Sequence, residues 1–291
     1  MQRLSESQCT SWAKLHQRKV RKNLGQCLVE GERSVQQVLE NQHLDILQII
    51  VSLEGGENPS PERIASLVSM GVKEESICLA TPRQCKKLSD TPSPQSLFAL
   101  VSIPEDWDVE RGFEILAQQP QSLVLILDDI QDPGNMGTIL RTASWFGVDA
   151  VLCTPGCVDP WNSKVVRALS GAMGVIPIAH VPYEWVSSLP SSHTLFGLDL
   201  SENAIPIERA QWDDHSILAI GNEGNGLSAS TRDALQISLH ISPNISPTQR
   251  TNLQNDSTPI SPKTAKKPLV ESLNAAVATS IALYSYRSVH R

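Results

Sequence analysis

Aromatic side chains are scarce in this chain of 291 residues, where Trp, Tyr and Phe together make up 4%. We therefore do not expect a surface built from many base-stacking rings. The chain also lacks an excess of positive charge: it has 24 Lys and Arg against 31 Asp and Glu, and a formal net charge of −7. This balance argues against a protein that coats nucleic acid over its whole surface, although it is compatible with a local basic patch.

Segments that direct a protein to or through a membrane are missing as well. No apolar run approaches the ~18 to 20 residues needed to span a bilayer, and residues 1–10 are polar, unlike a signal peptide. The two close cysteine pairs, Cys78 with Cys85 and Cys153 with Cys157, do not have the spacing of zinc ligands. We expect a soluble, cytoplasmic protein without a metal site, in which the six cysteines are free thiols.

Apolar periodicity indicates two domains, in line with the length of the chain. In the first domain the predicted elements are a strand, a turn and an amphipathic helix within 26–39, strands at 47–53 and 97–103, and a helix at 61–69. Their order indicates a small α/β domain over residues 1–103. Residues 104–121 are charged and then polar, with proline near both ends, and we expect a partly helical linker there.

The second domain, predicted over residues 122–291, begins with the continuous apolar run LVLIL at 123–127, followed by Asp128 and Asp129. Such a run is typical of a strand buried on both faces of a parallel sheet. Further strands are predicted at 148–153, 175–179, 194–198 and 217–220, and helices at 135–146, 164–169 and 272–286. We predict an α/β domain with a mostly parallel sheet, helices on both faces and ligands at the carboxyl ends of the strands.

Positive charge is concentrated near the start of the chain. Five cationic residues fall within nine positions that contain no acidic residue: Lys14, Arg18, Lys19, Arg21 and Lys22. Residues 1–34 as a whole hold seven Lys or Arg against three acidic residues. A solvated helix face and a patch that contacts phosphates are equally good interpretations of this cluster.

The residues that follow the first strand of the second domain combine a turn, a helix start and an arginine. Pro133 and Gly134 predict the turn, and Asn135 is the expected N-cap of the helix. Arg141 lies off the apolar stripe that would pack this helix on the sheet. Taken singly, a cap and a solvated arginine explain both residues.

A glycine-rich segment, LAIGNEGNGLS at 218–228, ends a later strand. Its three glycines around Glu223 let the backbone approach a ligand closely and leave amide groups free to bind it. The spacing differs from the G-x-G-x-x-G dinucleotide motif, which disfavours a nucleotide-binding oxidoreductase, and it also differs from a phosphate-binding P-loop. A purely structural turn is the alternative.

Ser272 and Asn274 open an alanine-rich helix. Ser272 is the expected N-cap, whereas Asn274 has no evident structural role. The small residues of the helix allow close packing against another helix. One face is formed by Leu273, Ala276, Val277, Ser280, Ile281 and Tyr284.

The three segments, taken in this order, closely resemble one protein family. N-x-G-x-x-x-R-T-A at 135–143, G-N-E-G-x-G-L-S at 221–228 and S-L-N at 272–274 resemble the SpoU/TrmH family of RNA ribose 2′-O-methyltransferases, within the SPOUT superfamily. Residues 164–177 look like the family segment that contains an arginine and a Gly-Ala pair. Over a shorter stretch, residues 21–33 are similar to the RNA-substrate-binding domain that precedes the catalytic domain in many ribosomal RNA members.

This resemblance implies a fold, a cofactor and an assembly. The sheet would contain a deep trefoil knot formed by the C-terminal segment, an exception to the unknotted chains of most proteins. S-adenosyl-L-methionine would bind in the knot, and the molecule would be a homodimer joined through the catalytic domain, with the final helix at the interface. The implied cofactor contacts are Leu198, Gly221, Asn222, Gly226, Ile241 and Leu273.

The resemblance also implies direct methyl transfer to a ribose 2′-hydroxyl, without a metal. The implied catalytic residues are Asn135, Arg141, Glu223, Ser272 and Asn274, and the implied RNA contacts are Lys14, Arg18, Lys19, Arg21, Lys22, Arg33 and Arg167. Because a guanidinium is a poor base, we expect Arg141 to orient the hydroxyl and the adjacent phosphate. Removal of the proton then needs that phosphate or a neighbouring group.

One departure from the family pattern keeps alternatives open. Ser, Pro, Thr, Asn and Gln supply 18 of the 27 residues at 242–268, which predicts a disordered insertion within the cofactor-binding region. The expected function is methylation of structured RNA, with large-subunit ribosomal RNA favoured over transfer RNA. The alternatives are a tRNA 2′-O-methyltransferase and a catalytically inactive RNA-binding or ribosome-assembly protein on the same fold.

Overall fold

The computed structural model describes residues 1–53, 58–242 and 272–290, which form two β-sheets with helices packed around them. Of the predicted insertion, residues 243–268 lie outside the described residues.

The first sheet is built by residues 2–102 and has five strands in the order β1-β4-β3-β5-β2. β5 pairs antiparallel with β2 and β3, whereas β4 pairs parallel with β1 and β3. The strands are β1 (Gln2–Arg3), β2 (Gln26–Glu30), β3 (Ile46–Ser52), β4 (Ile77–Ala80) and β5 (Leu97–Ser102). The helices are α1 (Glu6–Ala13), α2 (Arg18–Leu24), α3 (Glu32–Asn41), α4 (Pro61–Ser69) and α5 (Pro82–Leu88). The short elements β1, β4, α1, α2 and α5 are absent from the sequence prediction because a few residues carry little periodicity.

The second sheet has seven strands in the order β10-β12-β9-β11-β6-β7-β8, and its described strand pairs are all parallel. The predicted α/β architecture with a mostly parallel sheet is therefore confirmed. The strands are β6 (Ser122–Asp128), β7 (Ala150–Cys153), β8 (Ile178–His180), β9 (Thr194–Leu198), β10 (Ile205–Pro206), β11 (His215–Gly221) and β12 (Ile237–His240). The helices are α6 (Val109–Leu116), α7 (Pro133–Trp145), α8 (Ser163–Leu169), α9 (Ala229–Ala234) and α10 (Ala275–Val289).

Both faces of the seven-stranded sheet are buried, because apolar side chains follow one another along β6. Leu123, Leu125 and Leu127 belong to one core cluster, and Val124 and Ile126 belong to another on the opposite face. Helices α7, α8 and α10 contribute to the first cluster, and α6 and α9 contribute to the second. This arrangement explains why the run LVLIL contains no polar residue.

Two strands start later than the sequence predicts. β7 begins at Ala150 instead of residue 148, because Gly147 adopts a left-handed φ of 64° and turns the chain before the strand. β8 begins at Ile178 instead of residue 175, because Gly174, with a φ of 72°, and Pro177 keep the preceding residues in a turn.

Residues 104–121 contain helix α6 and pack against the seven-stranded sheet. Helix α6 lies within them, and Phe113 is buried in the second core cluster. The backbone N–H of Trp107 donates to the carbonyl of Ile178 at 2.9 Å. The segment thus packs on one face of the seven-stranded sheet.

A single apolar core joins the two sheets. The cluster that contains Leu125 and Leu127 of β6 also contains Val29 of β2 and Ile49 of β3. Residues of α8 lie between them and contact β2. The two parts of the chain are therefore docked against each other through a shared hydrophobic interior.

Arg21 belongs to this interface and not to an RNA-binding surface. Its Nε donates to Asp159 Oδ2 at 3.1 Å, and its Nη1 donates to the carbonyls of Leu15 and His16 at 2.7 and 2.9 Å. The guanidinium is buried, and all three of its nitrogens donate hydrogen bonds, with Nη2 also bonded to Asp159. The prediction that Arg21 contacts RNA is wrong, because periodicity cannot distinguish a buried arginine within a basic run.

Candidate active site

The site lies at the carboxyl edge of the seven-stranded sheet, where the chain order reverses. β6 and β11 are neighbours, and Asp128 and Gly221 are register partners at their ends. Leu198 ends β9 beside β11, and Ile241 follows β12 on the far side of β9. Three of the predicted cofactor contacts, Leu198, Gly221 and Ile241, thus lie along the edge where open parallel sheets bind ligands.

The glycine-rich loop closes on itself directly after β11. The N–H of Asn222 donates to the carbonyl of Gly226 at 3.0 Å, and the N–H of Gly226 donates back to the carbonyl of Asn222 at 2.8 Å. A Cβ on Gly221 would lie 2.3 Å from the carbonyl carbon of Gly226, and Gly226 has a left-handed φ of 67°. Glycine is therefore required at both positions, and Glu223 stands at the tip of the loop.

Both ends of this loop are tied to the end of β6. The buried carboxylate of Asp128 accepts from the N–H of Ser228 at 2.7 Å, and the carbonyl of Asp129 accepts from Asn222 Nδ2 at 3.0 Å. Asn222 Oδ1 in turn accepts from the N–H of Gly224 at 2.8 Å. Asn222 thus holds the loop through its side-chain oxygen, one N–H of its side-chain amide, and its backbone N–H and carbonyl.

A line of amides and a carboxylate joins the three sequence motifs. Asn135 Nδ2 donates to Glu223 Oε1, and Asn274 Nδ2 donates to Asn135 Oδ1 at 2.8 Å. Asn274 Oδ1 accepts from the N–H groups of Ala276 and Val277 at 3.0 and 3.3 Å. Residues 88 and 139 positions apart in the chain are thereby fixed to one another.

The helix caps differ from those predicted. Asp132 caps α7 and accepts from the N–H of Asn135 at 2.8 Å, because Pro133 takes the first helical position. Asn274, not Ser272, caps α10, and Ser272 is exposed before the helix. Asn135, freed from capping, turns its side chain to Glu223, and Asn274 combines a structural bond with a bond to the site.

Arg141 lies on the side of α7 that faces the end of α8. It is exposed, and its Nη1 donates to Ser170 Oγ at 3.4 Å. Ser170 is the C-cap of α8 and has a left-handed φ of 50°. The guanidinium fork is thus largely open to a ligand.

Several polar residues around the end of β6 were missed by the sequence prediction. Thr154 Oγ1 donates to the Asp128 carboxylate at 3.3 Å and accepts from the N–H of Asp129 at 3.0 Å. Tyr183 donates its hydroxyl to the Asp129 carboxylate, and this bond raises the pKa of Tyr183. Thr154 could have been predicted, because it is a polar residue directly after the predicted strand that ends at Cys153.

The predicted RNA contacts divide into free and engaged side chains. Lys14, Arg18, Lys19, Lys22 and Arg33 are exposed. Arg167 is half-buried and forms an ion pair with Asp90, which links α8 to the segment that follows α5.

Metal ligation and membrane insertion find no support in residues 1–53, 58–242 and 272–290. Within these ranges there is no cluster of three or more His, Cys, Asp or Glu side chains suited to a metal ion. Across the same ranges, none of the helices has the length and apolarity to cross a bilayer. The six cysteines are free and buried.

Both sheets lie in regions of the chain that match known protein families. Residues 122–247 match the SpoU rRNA Methylase family, and residues 7–99 match the MRM3-like substrate binding domain. The chain is 28% identical over 282 residues to the 23S rRNA (guanosine(2553)-2'-O)-methyltransferase RlmP of Bacillus subtilis, over 95% of this chain and 94% of that protein.

Solved structures share the arrangement over nearly the whole chain. A TrmH-family protein from Porphyromonas gingivalis is 25% identical with a TM-score of 0.73, over 98% of this chain and 99% of that one. An AdoMet-bound rRNA methyltransferase from Sinorhizobium meliloti has the same fold at 19% identity, with a TM-score of 0.74 and coverage of 99% and 98%. The seven-stranded part of the chain therefore belongs to the SpoU rRNA Methylase family, and the five-stranded part is an MRM3-like substrate binding domain.

Proposed function

We propose that this protein transfers a methyl group from S-adenosyl-L-methionine to a ribose 2′-hydroxyl of structured ribosomal RNA. The observation that carries the proposal is the bonded line from Glu223 through Asn135 to Asn274, which assembles the three family motifs at the carboxyl edge of the parallel sheet. The relative from Bacillus subtilis, matched over nearly its full length, is named for 2′-O-methylation of 23S rRNA and supports the substrate class.

The edge of the sheet fits the cofactor in its chemistry. In this proposal the lining would be backbone at Gly221 and Gly226 together with the apolar side chains of Leu198, Ile241 and Leu273, of which Leu273 is 46% exposed. Such a surface can enclose an uncharged purine while backbone groups bind its polar edge. When bound, the cofactor supplies an electrophilic methyl group. Asn135, Glu223 and Asn274 hold the loop and the start of α10 in place around it.

Arg141 orients the substrate. Its exposed guanidinium can form paired hydrogen bonds to the 2′-hydroxyl and the adjacent phosphate, and it keeps its own proton. Alignment of the reacting oxygen with the methyl group can supply a large part of the rate, up to roughly 7 to 11 kcal/mol of barrier reduction. The hydroxyl proton passes to that phosphate or to a neighbouring group. The 2′-hydroxyl requirement makes RNA, and not DNA, the substrate.

The proposal includes a homodimer and the trefoil knot of the family. Three apolar side chains at helical spacing point outward from α10, namely Val277, Ile281 and Tyr284, of which Tyr284 is 61% exposed, and Leu273 is exposed just before the helix. Trp145 at the end of α7 is 85% exposed and lies nearby, since the neighbouring carbonyl of Phe146 accepts from Arg287 Nε of α10 at 2.6 Å. An exposed apolar stripe of this kind suits a two-fold contact between copies.

The five-stranded part, residues 1–103, would dock the RNA. Its exposed cations Lys14, Arg18, Lys19 and Lys22 lie within or just before α2, on the layer that covers one face of that sheet. Such a surface binds phosphates in a salt-dependent manner.

Activity is tested with the purified chain, cofactor carrying a tritiated methyl group, and large-subunit ribosomal RNA isolated from cells that lack the gene. We expect label in one or a few ribose 2′-O positions, which mapping of alkali-resistant linkages identifies. If transfer RNA alone became labelled, the substrate would be transfer RNA and not ribosomal RNA. Absence of cofactor binding by calorimetry at millimolar concentration would leave an inactive RNA-binding protein on the same fold.

A further inference from the structure

The turn that contacts Arg141 has an unusual backbone. Ser170, whose hydroxyl accepts from Arg141, has a φ of 50°, and Gly171 after it has a φ of 87°. Two consecutive left-handed residues are uncommon, and the first of them carries a side chain. A turn of this kind keeps one shape only when the surrounding structure holds it.

The surrounding structure here is the first part of the chain. Asn41, the last residue of α3, donates from Nδ2 to the carbonyl of Gly171 at 3.1 Å. Gly171 is buried, and a Cβ on it would lie 2.3 Å from Cβ of Gln37 on the same helix. Three residues further, a Cβ on Gly174 would lie 2.5 Å from Leu44. The turn after α8 is thus pressed against residues 37–44.

This close contact is kept at the expense of a hydrogen bond. Gln37 Oε1 is buried without a partner among the described residues, and it lies 2.6 Å from the position of a Cβ on Gly171. A buried acceptor without a donor is unfavourable, so it persists where the packing around it is constrained. Gly171 therefore leaves the space that the Gln37 side chain occupies.

We propose that Asn41 is a positioning residue for Arg141 and that the RNA-docking part of the chain sets the orientation of this guanidinium. The connection runs from α3 through the Asn41 to Gly171 bond, along the backbone to Ser170, and through its hydroxyl to Arg141. Asn41 touches no reacting atom. The inference rests on the proposed function, in which Arg141 orients the ribose. The position of Arg141 would then be fixed relative to the part of the chain that binds the RNA.

The test compares Asn41→Ala with Glu40→Ala, a control at the adjacent exposed position, whose side chain forms no hydrogen bond or ion pair among the described residues. At saturating RNA, we expect Asn41→Ala to lower kcat about three- to tenfold, the effect of one hydrogen bond, with KM for the cofactor unchanged. Glu40→Ala should stay within twofold of wild type. A wild-type kcat in Asn41→Ala, or a loss that matches its loss of folded protein, would overturn the inference.

A double variant tests the connection itself. Ser170→Ala removes the bond to Arg141, so Asn41→Ala added to it should lower kcat no further. Effects that multiply would show that Asn41 acts elsewhere. Hydrogen exchange of the amides at 170–174 gives a readout without catalysis: it should rise in Asn41→Ala and stay at the wild-type rate in Glu40→Ala. If the wild-type protein transfers no methyl group, the proposed function fails, whereas unchanged exchange in Asn41→Ala overturns this inference alone.

Discussion

Replacement of Asn274 by aspartate separates its two structural roles. The cap of α10 uses only Oδ1, which accepts at 3.0 and 3.3 Å, while the bond to Asn135 uses Nδ2 at 2.8 Å. In Asn274→Asp the cap remains, and a negative charge at a helix N-terminus is favourable. The bond to Asn135 becomes a contact between two oxygens. A flip of the Asn135 amide cannot restore it, because its oxygen would then face Glu223.

The expected cost falls on activity and not on folding. Loss of the bond raises the activation free energy of methyl transfer by about 1 kcal/mol, and the repulsion between the two acceptors raises it further. We therefore expect kcat to fall at least about tenfold. The melting temperature should stay within about 2 °C of wild type. Asn274→Ala is the matched comparison: it also loses the cap, which costs about 1 kcal/mol of stability.

Single-turnover methylation of ribosomal RNA and thermal unfolding of the same preparations measure both effects. In Asn274→Asp, lowering the pH should recover part of the activity, because protonation of one carboxylate restores a donor. A wild-type methylation rate in Asn274→Asp would refute the reasoning, since it would mean that the Asn274 amide serves the helix alone.

Three further outcomes follow from the described contacts. Arg141→Lys should remove most methyl transfer while calorimetry finds nearly unchanged cofactor affinity; a strong loss of affinity would contradict an orienting role toward the substrate. Gly221→Ala should abolish cofactor binding in the same calorimetric assay, because its Cβ would lie 2.3 Å from the Gly226 backbone; normal binding would mean that the loop rearranges freely. Burial lowers the pKa of His193 from 6.5 to about 4, so its contribution to stability is present above pH 6.5 and is lost as the pH falls towards 4. The free energy of unfolding, measured with urea, should therefore fall by up to about 3 kcal/mol over this pH range in wild type and should not show this fall in His193→Gln. Equal pH profiles for the two proteins would assign the pH dependence to other groups.

Long, uniform patterns in the sequence predict their structure well. The run LVLIL becomes the doubly buried strand β6, and the segments around Asn135, Glu223 and Asn274 meet at the sheet edge that parallel topology designates. These features depend on neighbours in the chain or on the general geometry of parallel sheets, and both can be inferred without coordinates.

Features that depend on a distant partner could not be predicted. Arg21 lies in a run of exposed cations, and only the position of Asp159 explains its burial. Helix α10 has apolar residues around most of its circumference, so periodicity cannot tell that Thr279 and Tyr286 face the core while Tyr284 faces outward. The contact of Gly171 with Gln37 likewise exists only once the two sheets are docked.

The apolar core that runs from β2 and β3 into β6 has a consequence for folding and for evolution. Because Val29 and Leu125 share one cluster, we expect the two sheets to unfold in one cooperative transition, without a populated state in which only one is folded. We then expect no hinge motion between the two described sheets, so that RNA would meet them as one unit. A substrate-docking part taken from another family member would bring the wrong surface to α8, so specificity is expected to diverge by substitution within this part and not by exchange of the whole.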